Sequence, residues 1–268
     1  KTPSVYATIG GILKYQRQND EAAEAYVRVD PSDPQYQTAM VNYIDILTSK
    51  DQLDEAKEAL NKAIQANPDN PHYHYLLGNV YKDGKDFNRA VESYDAAEAL
   101  GLHDGELERE LWPLYYSRAI AFDLLDRWDD AEADLKTALE KFPNSPVILN
   151  YIGYAYADRG IELDKAKNMI SRAVMAAPND AYITDSMGWI LYRMGEYAEA
   201  VTYLERAAKM RPYHMVINDH LGDAYWKVGR KLEAQYMWQR ALDYYDETEE
   251  EQQRMIDETR RKVKEGKL

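Results

Sequence analysis

One pattern recurs along this chain roughly every 34 residues, and it restricts the possible folds more than any other feature of the sequence. Small or apolar residues stand at Gly10, Ile44, Gly78, Ala119, Gly153, Gly188 and Gly222, at intervals of 34, 34, 41, 34, 35 and 34 residues. Twelve residues beyond each comes an alanine: Ala22, Ala56, Ala90, Ala131, Ala166, Ala200 and Ala234, with one extra residue before Ala166. Seven residues further lie Val29, Ala63, Ala97, Ala138, Ala173, Ala207 and Ala241, and five of the seven units then close on Pro34, Pro68, Pro143, Pro178 or Pro212. A period of this length belongs to stacked-repeat proteins, in which each unit leaves an apolar face that only its neighbour covers.

Within a unit the apolar residues have helix period. In the sixth, Thr184, Met187, Gly188 and Leu191 form one stripe, and Ala200, Leu204 and Ala207 form the facing one. Gly or Ala at the crossing of two antiparallel helices lets the backbones approach, while larger side chains fill the space around them. Proline after the second helix cannot donate a backbone hydrogen bond and disfavours helix in the residue before it, so it ends the unit. The expected chain is all-α, with fourteen helices in seven pairs and two departures. The 41-residue interval places an insertion over 101–111, either a longer loop or an early helix start. Beyond Ala241 the frame fails: Asp243, Asp246, Glu247, Glu249, Glu250 and Glu251 precede a helix ending in Arg260, Arg261, Lys262 and Lys264. Acid first and base last suits a helix dipole, and 248–264 reads as a capping helix that gives the last unit a polar outer face.

The stretch MGWILYRMGEYAEAVTYLERAAKMRP, from Met187 to Pro212, carries Gly188, Gly195, Tyr197, Ala200, Leu204, Ala207 and Pro212 at the offsets of the tetratricopeptide repeat, and the chain resembles that family. The resemblance implies a right-handed α-solenoid of about seven helix pairs plus a C-terminal capping helix. Its units fall near 3–34, 37–68, 71–102, 112–143, 146–178, 181–212 and 215–246, a superhelix over 1–246, with 247–268 as capping helix and tail.

Composition narrows the function. With 47 acidic against 33 basic residues the net charge is −14, so most of the surface repels a nucleic-acid backbone or an anionic membrane. The chain has no cysteine, which excludes disulfides, thiol catalysis and cysteine-ligated metals, and no apolar run approaches a membrane span. It opens on Lys1 without a Met, signal peptide or lipidated Cys, so the expectation is that a targeting segment has been trimmed. His72 and His74, two residues apart, point away from each other on a helix, and His214 and His220 have no metal-binding spacing either. GNVYKDGK (78–85) has the wrong glycine spacing for a phosphate loop and Asp86 in place of Ser or Thr. Carboxylates such as Glu21, Asp54 and Asp129 gather where second helices begin, where the dipole favours them, rather than as acid–base pairs. No cofactor, metal or catalytic constellation is expected; the chain reads as non-catalytic.

The family resemblance also implies that the first helix of each pair lines a concave groove. Carried onto this sequence, its inward positions give Tyr116, Asn150, Tyr154, Asp185, Trp189, Tyr192, Asp219, Asp223 and Trp226 as the candidate peptide-binding residues. Rings supply apolar area at low entropy cost, and amides and carboxylates meet a peptide backbone. The chaperone-tail clamp of some family members needs a lysine where this chain has Ala7, Val41, Tyr75, Tyr116, Asn150, Asp185 and Asp219, which argues against that activity. The segments 150–160, 185–207 and 217–242 are similar to bacterial, especially alphaproteobacterial, envelope proteins of this family, and to the lipoprotein adaptor of a carboxyl-terminal processing protease. That likeness implies a scaffold or adaptor in the bacterial envelope, periplasmic or lipid-anchored through a missing N-terminus, recruiting the protease and its cell-wall hydrolase substrates. The alternative is a cytoplasmic or envelope module that self-associates through an uncapped first repeat, whose Tyr6, Ile9 and Leu13 lack a polar cover.

Overall fold

The structure is a computed structural model that describes residues 5–101, 112–245 and 253–268. Among these residues there is no strand, and fifteen helices form an α-solenoid of seven pairs and one final helix. The chain divides into two compact units, Lys1–Lys141 and Phe142–Leu268. The first holds α1 (Val5–Tyr15), α2 (Asn19–Tyr26), α3 (Tyr36–Ser49), α4 (Leu53–Ala66), α5 (Pro71–Asp83), α6 (Phe87–Ala99), α7 (Trp112–Leu124) and α8 (Trp128–Lys141). The second holds α9 (Pro146–Arg159), α10 (Leu163–Ala176), α11 (Ala181–Arg193), α12 (Tyr197–Met210), α13 (Met215–Lys227), α14 (Lys231–Asp243) and α15 (Gln253–Glu265). The 101–111 insertion lies outside the described residues apart from Gly101, and so does the start of the expected 248–264 helix.

The repeat residues do the packing that their types require. All seven alanines from Ala22 to Ala234 are fully buried. Facing them, the glycines of the odd helices leave room for one large side chain from the partner helix. A Cβ on Gly78 would lie 2.5 Å from the Tyr94 ring, on Gly188 2.5 Å from Leu204, and on Gly222 2.4 Å from Trp238. Volume removed on one helix is thus filled by the other, which keeps the interior dense.

The turn inside each pair also repeats. A residue adopts a left-handed conformation at Arg17, Asp51, Lys85, Asp126, Gly160, Gly195 and Gly229, and the turn between α9 and α10, in the unit with the extra residue, has a second at Glu162. Several helix starts are capped by a short side-chain acceptor: Asn70 accepts from the His72 amide, Ser145 from Ile148, and Asp180 from Tyr182 and Ile183. In the first unit Arg118 is buried and joins α6, α7 and α8, donating to Asp134 at 2.7 and 2.9 Å, Asp95 at 2.7 Å and Glu98 at 2.5 Å. Burial alone would favour neutral Arg118, but these carboxylates overcome it and hold the guanidinium firmly charged. On α1, Tyr6 and Ile9 are exposed beside Val5, Ile12 and Tyr15, whereas Leu13 turns inward onto the core of the first unit.

Candidate functional site

Eight of the nine candidate residues belong to the second unit, on its odd helices. Asn150 and Tyr154 are one turn apart on α9, Asp185, Trp189 and Tyr192 follow on α11, and Asp219, Asp223 and Trp226 on α13. Tyr116 belongs to the first unit, half-buried on α7 beside Trp112, with its phenol pushed up to about 12 by burial.

The three carboxylates face inward. Asp185, Asp219 and Asp223 are 5, 3 and 6% exposed, and each is held by a neighbouring helix. Asp185 lies 3.0 Å from Nδ1 of His220, which is itself 1% exposed. Asp219 accepts from the Thr259 hydroxyl at 2.7 Å and from the Lys262 ammonium at 2.8 Å. Asp223 accepts from the same ammonium at 2.7 Å and from the Trp238 indole N–H at 2.8 Å. These bonds tie α11, α13, α14 and α15 into one buried polar chain. Burial would favour neutral His220, yet Asp185, with Asp219 and Asp223 behind it, raises its pKa above the ordinary histidine value. Burial and the charge of Asp219 push Asp223 up to about 6, against the pull of Lys262 and Trp238.

Sequence reasoning placed these carboxylates on a binding groove because helix packing alone did not call for them. The structure supplies the missing demand: α15. Asp219 follows Asp185 by 34 residues, while Thr259 follows His220, and Lys262 follows Asp223, by 39. In this frame α15 stands where the first helix of an eighth unit would, and Thr259 meets Asp219 as His220 meets Asp185. Its Ile256 closes the apolar end of the last pair with Met215 and Ala241. His220, within the similar segment 217–242, is the buried partner of Asp185, and the residues missed were Thr259 and Lys262. The signal for them was the frame continuing past an interruption, hidden because no alanine or glycine marks it in α15.

What remains accessible is aromatic. Trp189 stacks parallel to His220 at 4.1 Å and to Tyr192 at 5.0 Å between centroids, with Tyr154 6.4 Å from His220. Trp226 lies 5.5 Å from Trp238 and carries the Lys231 ammonium 3.4 Å above its ring. Tyr154, Trp189, Tyr192 and Trp226 are half-buried. Burial, reinforced by nearby carboxylates, raises the phenols of Tyr154 and Tyr192 well above the ordinary tyrosine range, so both stay hydrogen-bond donors. The Asn150 Oδ1 acceptor and the Trp189 Nε1 donor are buried without a hydrogen-bond partner. Native proteins seldom leave such groups unmatched.

Among the described residues no group of three or more His, Cys, Asp or Glu side chains could hold a metal ion, and no helix is long and apolar enough to cross a membrane.

Comparison with known proteins follows the same frame. Models of the tetratricopeptide repeat match residues 14–80, 71–100, 114–145 and 183–214. The TPR repeat-containing protein PA4667 of Pseudomonas aeruginosa is 28% identical over 221 residues, 82% of this chain and 36% of that protein. Human aspartyl/asparaginyl beta-hydroxylase is 25% identical over 208 residues, 72% of this chain and 26% of that protein. The chain thus spans about a third of one curated relative and a quarter of the other. Among solved structures, a tetratricopeptide repeat protein from Parabacteroides merdae superposes with a TM-score of 0.70 at 16% identity, over 97% of both chains. The Cut9–Hcn1 hetero-tetramer of the APC/C gives a TM-score of 0.74 at 13% identity, over 99% of this chain and 49% of that one. At these identities the likeness is one of fold.

Proposed function

Because the chain belongs to the tetratricopeptide-repeat family, whose fold is generally non-catalytic, we propose that it is a scaffold or adaptor that performs no chemistry and holds a protein or peptide segment on the odd-helix face of its second unit. The observation that carries this reading is the half-buried aromatic row of Tyr154, Trp189, Tyr192 and Trp226 on the odd helices of one unit. Rings of this kind anchor protein interfaces. Asp185, Asp219 and Asp223 serve this face indirectly, by fixing the helices that carry the rings.

We place the adaptor in the bacterial envelope, with a carboxyl-terminal processing protease or a cell-wall hydrolase as the protein it grips. Support for that setting is the sequence likeness over 150–160, 185–207 and 217–242, which includes Trp189 and Trp226. Capture from a bacterial envelope extract tests it, using the protein beside a Tyr192→Ala/Trp226→Ala variant of unchanged helix content. A protease or hydrolase retained by the first and lost from the second is the expected result. Equal retention by both would remove the aromatic face from the account.

The exposed Val5, Tyr6, Ile9, Ile12 and Tyr15 of α1 favour a second reading, a module that self-associates through its first repeat. Sedimentation over a range of concentrations separates the two, since a strict monomer excludes self-association.

A further inference from the structure

Three arginines of the second unit, Arg172, Arg206 and Arg240, are spaced 34 residues apart, each immediately before a buried alanine of its helix. They leave α10, α12 and α14 at the same place, and each reaches back to the carbonyl of the proline closing the preceding repeat. Arg172 donates to Pro143 at 2.8 Å, Arg206 to Pro178, and Arg240 to Pro212 at 3.0 Å. Arg172 also meets the Asn144 side chain. None of the three pairs with a carboxylate among the described residues. A carbonyl fixes a guanidinium without neutralising it, and most of its five N–H groups stay available. Packing of the repeat does not need this arginine: the corresponding residues before Ala97 and Ala138 of the first unit are Ala96 and Thr137, Lys62 before Ala63 pairs with Glu58, and Arg28 before Val29 stands alone there, 5.8 Å from the ring of Tyr6. A row of fixed, uncompensated cations is therefore specific to the second unit of a chain whose net charge is −14.

Exposed rings adjoin the end of this row. Arg211, also without a carboxylate partner among the described residues, sits 4.9 Å over Tyr182, whose ring meets His214 at 5.1 Å. Arg240 lies 5.7 Å from the ring of Tyr213 and 6.0 Å from that of Tyr244, and these two rings are 4.9 Å apart. Tyr213 is 67% and Tyr236 62% exposed, and both line a hollow with Arg240 and Tyr244. Of the acids nearby, Glu205 pairs with Arg230 and Asp180 caps α11, while Asp243 lines the same hollow, accepts from the neutral Gln239 amide and keeps its charge, so the cations left for a partner are chiefly those of the row and Arg211.

We propose that this edge, built from the arginine row and the Tyr182, Tyr213 and Tyr244 rings, is a second interaction surface that takes an acidic, aromatic-containing segment of a partner protein. Carboxylates of the segment meet the arginines, whose positions the proline carbonyls already fix, and its rings lie against the exposed tyrosines. The surface is separate from the aromatic row of the odd helices and stands or falls independently of it.

The probe is a fluorescein-labelled decapeptide of Glu, Asp and Phe, with a counterpart carrying Lys for every acid. Anisotropy with the full chain should show binding of the acidic peptide alone, weakening steeply as salt rises from 50 to about 300 mM. Arg206→Gln/Arg240→Gln should lose about tenfold or more of that affinity, Arg206→Lys/Arg240→Lys should keep most of it, and Trp226→Ala should leave it unchanged. The lysine pair retains charge in a different shape, so its behaviour separates electrostatics from loss of fold, which far-UV circular dichroism reports directly. Equal binding of the two peptides, no loss in the glutamine variant, or a single-stranded oligonucleotide displacing the peptide at equal concentration would overturn the proposal.

Discussion

Gly188 and Gly195, seven residues apart, are glycines for different physical reasons. At Gly188 a Cβ would lie 2.5 Å from Leu204 and 3.3 Å from the Ala200 carbonyl, so Gly188→Ala must push two packed helices apart at a cost of about 1–3 kcal/mol. At Gly195 nothing lies within 4 Å of such a Cβ, but the backbone is left-handed at φ +85, so Gly195→Ala should cost only about 1 kcal/mol. Urea denaturation of the two variants checks this order, and a larger loss at Gly195 would contradict it. Asp223 makes a prediction of opposite sign to ordinary acid denaturation. Its pKa rises from 3.8 unfolded to about 6 folded, so the native state binds the extra proton between those values and stability falls as pH rises through that range. His220, raised above 6.5, continues the fall at higher pH. Thermal unfolding should therefore show the second unit more stable near pH 5 than near pH 8. Asp223→Asn should flatten the part of the curve below about pH 6, and an unaltered curve would place the titration elsewhere. The glycines were legible from the sequence because packing repeats them; the titration was not, because it depends on Lys262 arriving from another helix.

At the scale of the element, α15 has the most to explain. Sequence alone marked it as a polar cap from its acidic lead and basic end, and α15 (Gln253–Glu265) does follow the last pair. Its inward side was not legible: Ile256 closes the apolar end of α13 and α14, and Thr259 and Lys262 satisfy Asp219 and Asp223. Charge pattern along a helix reports its dipole and its solvated side, whereas the depth of one lysine depends on what faces it. Lys262 is 6% exposed, so Lys262→Met keeps the side chain's length but leaves two buried carboxylates without a cation. Breaking a buried ion pair from one side costs about 3–5 kcal/mol, and the variant should unfold its second unit first. Hydrogen exchange checks this: protection should drop in α13, α14 and α15, while an unchanged pattern would mean that Lys262 merely decorates the surface.

For the molecule as a whole, the period was enough to give the family and the pairing of helices, because backbone approach at Gly and Ala crossings is a requirement that every unit repeats. Binding is not so repeated. Eight candidate residues proved to share the odd helices of one unit, but three of them, Asp185, Asp219 and Asp223, are internal supports and the aromatic residues carry the accessible surface. An inward helical position looks the same in sequence whether a neighbouring helix or a partner covers it. The central claim is that these rings grip a protein segment, and selection from a displayed random-peptide library tests it most directly. Enriched peptides should bind the chain with micromolar affinity and lose about 2 kcal/mol, some thirtyfold, with Trp226→Ala at unchanged helix content. No enrichment on the folded chain, or equal affinity for the variant, would contradict the account.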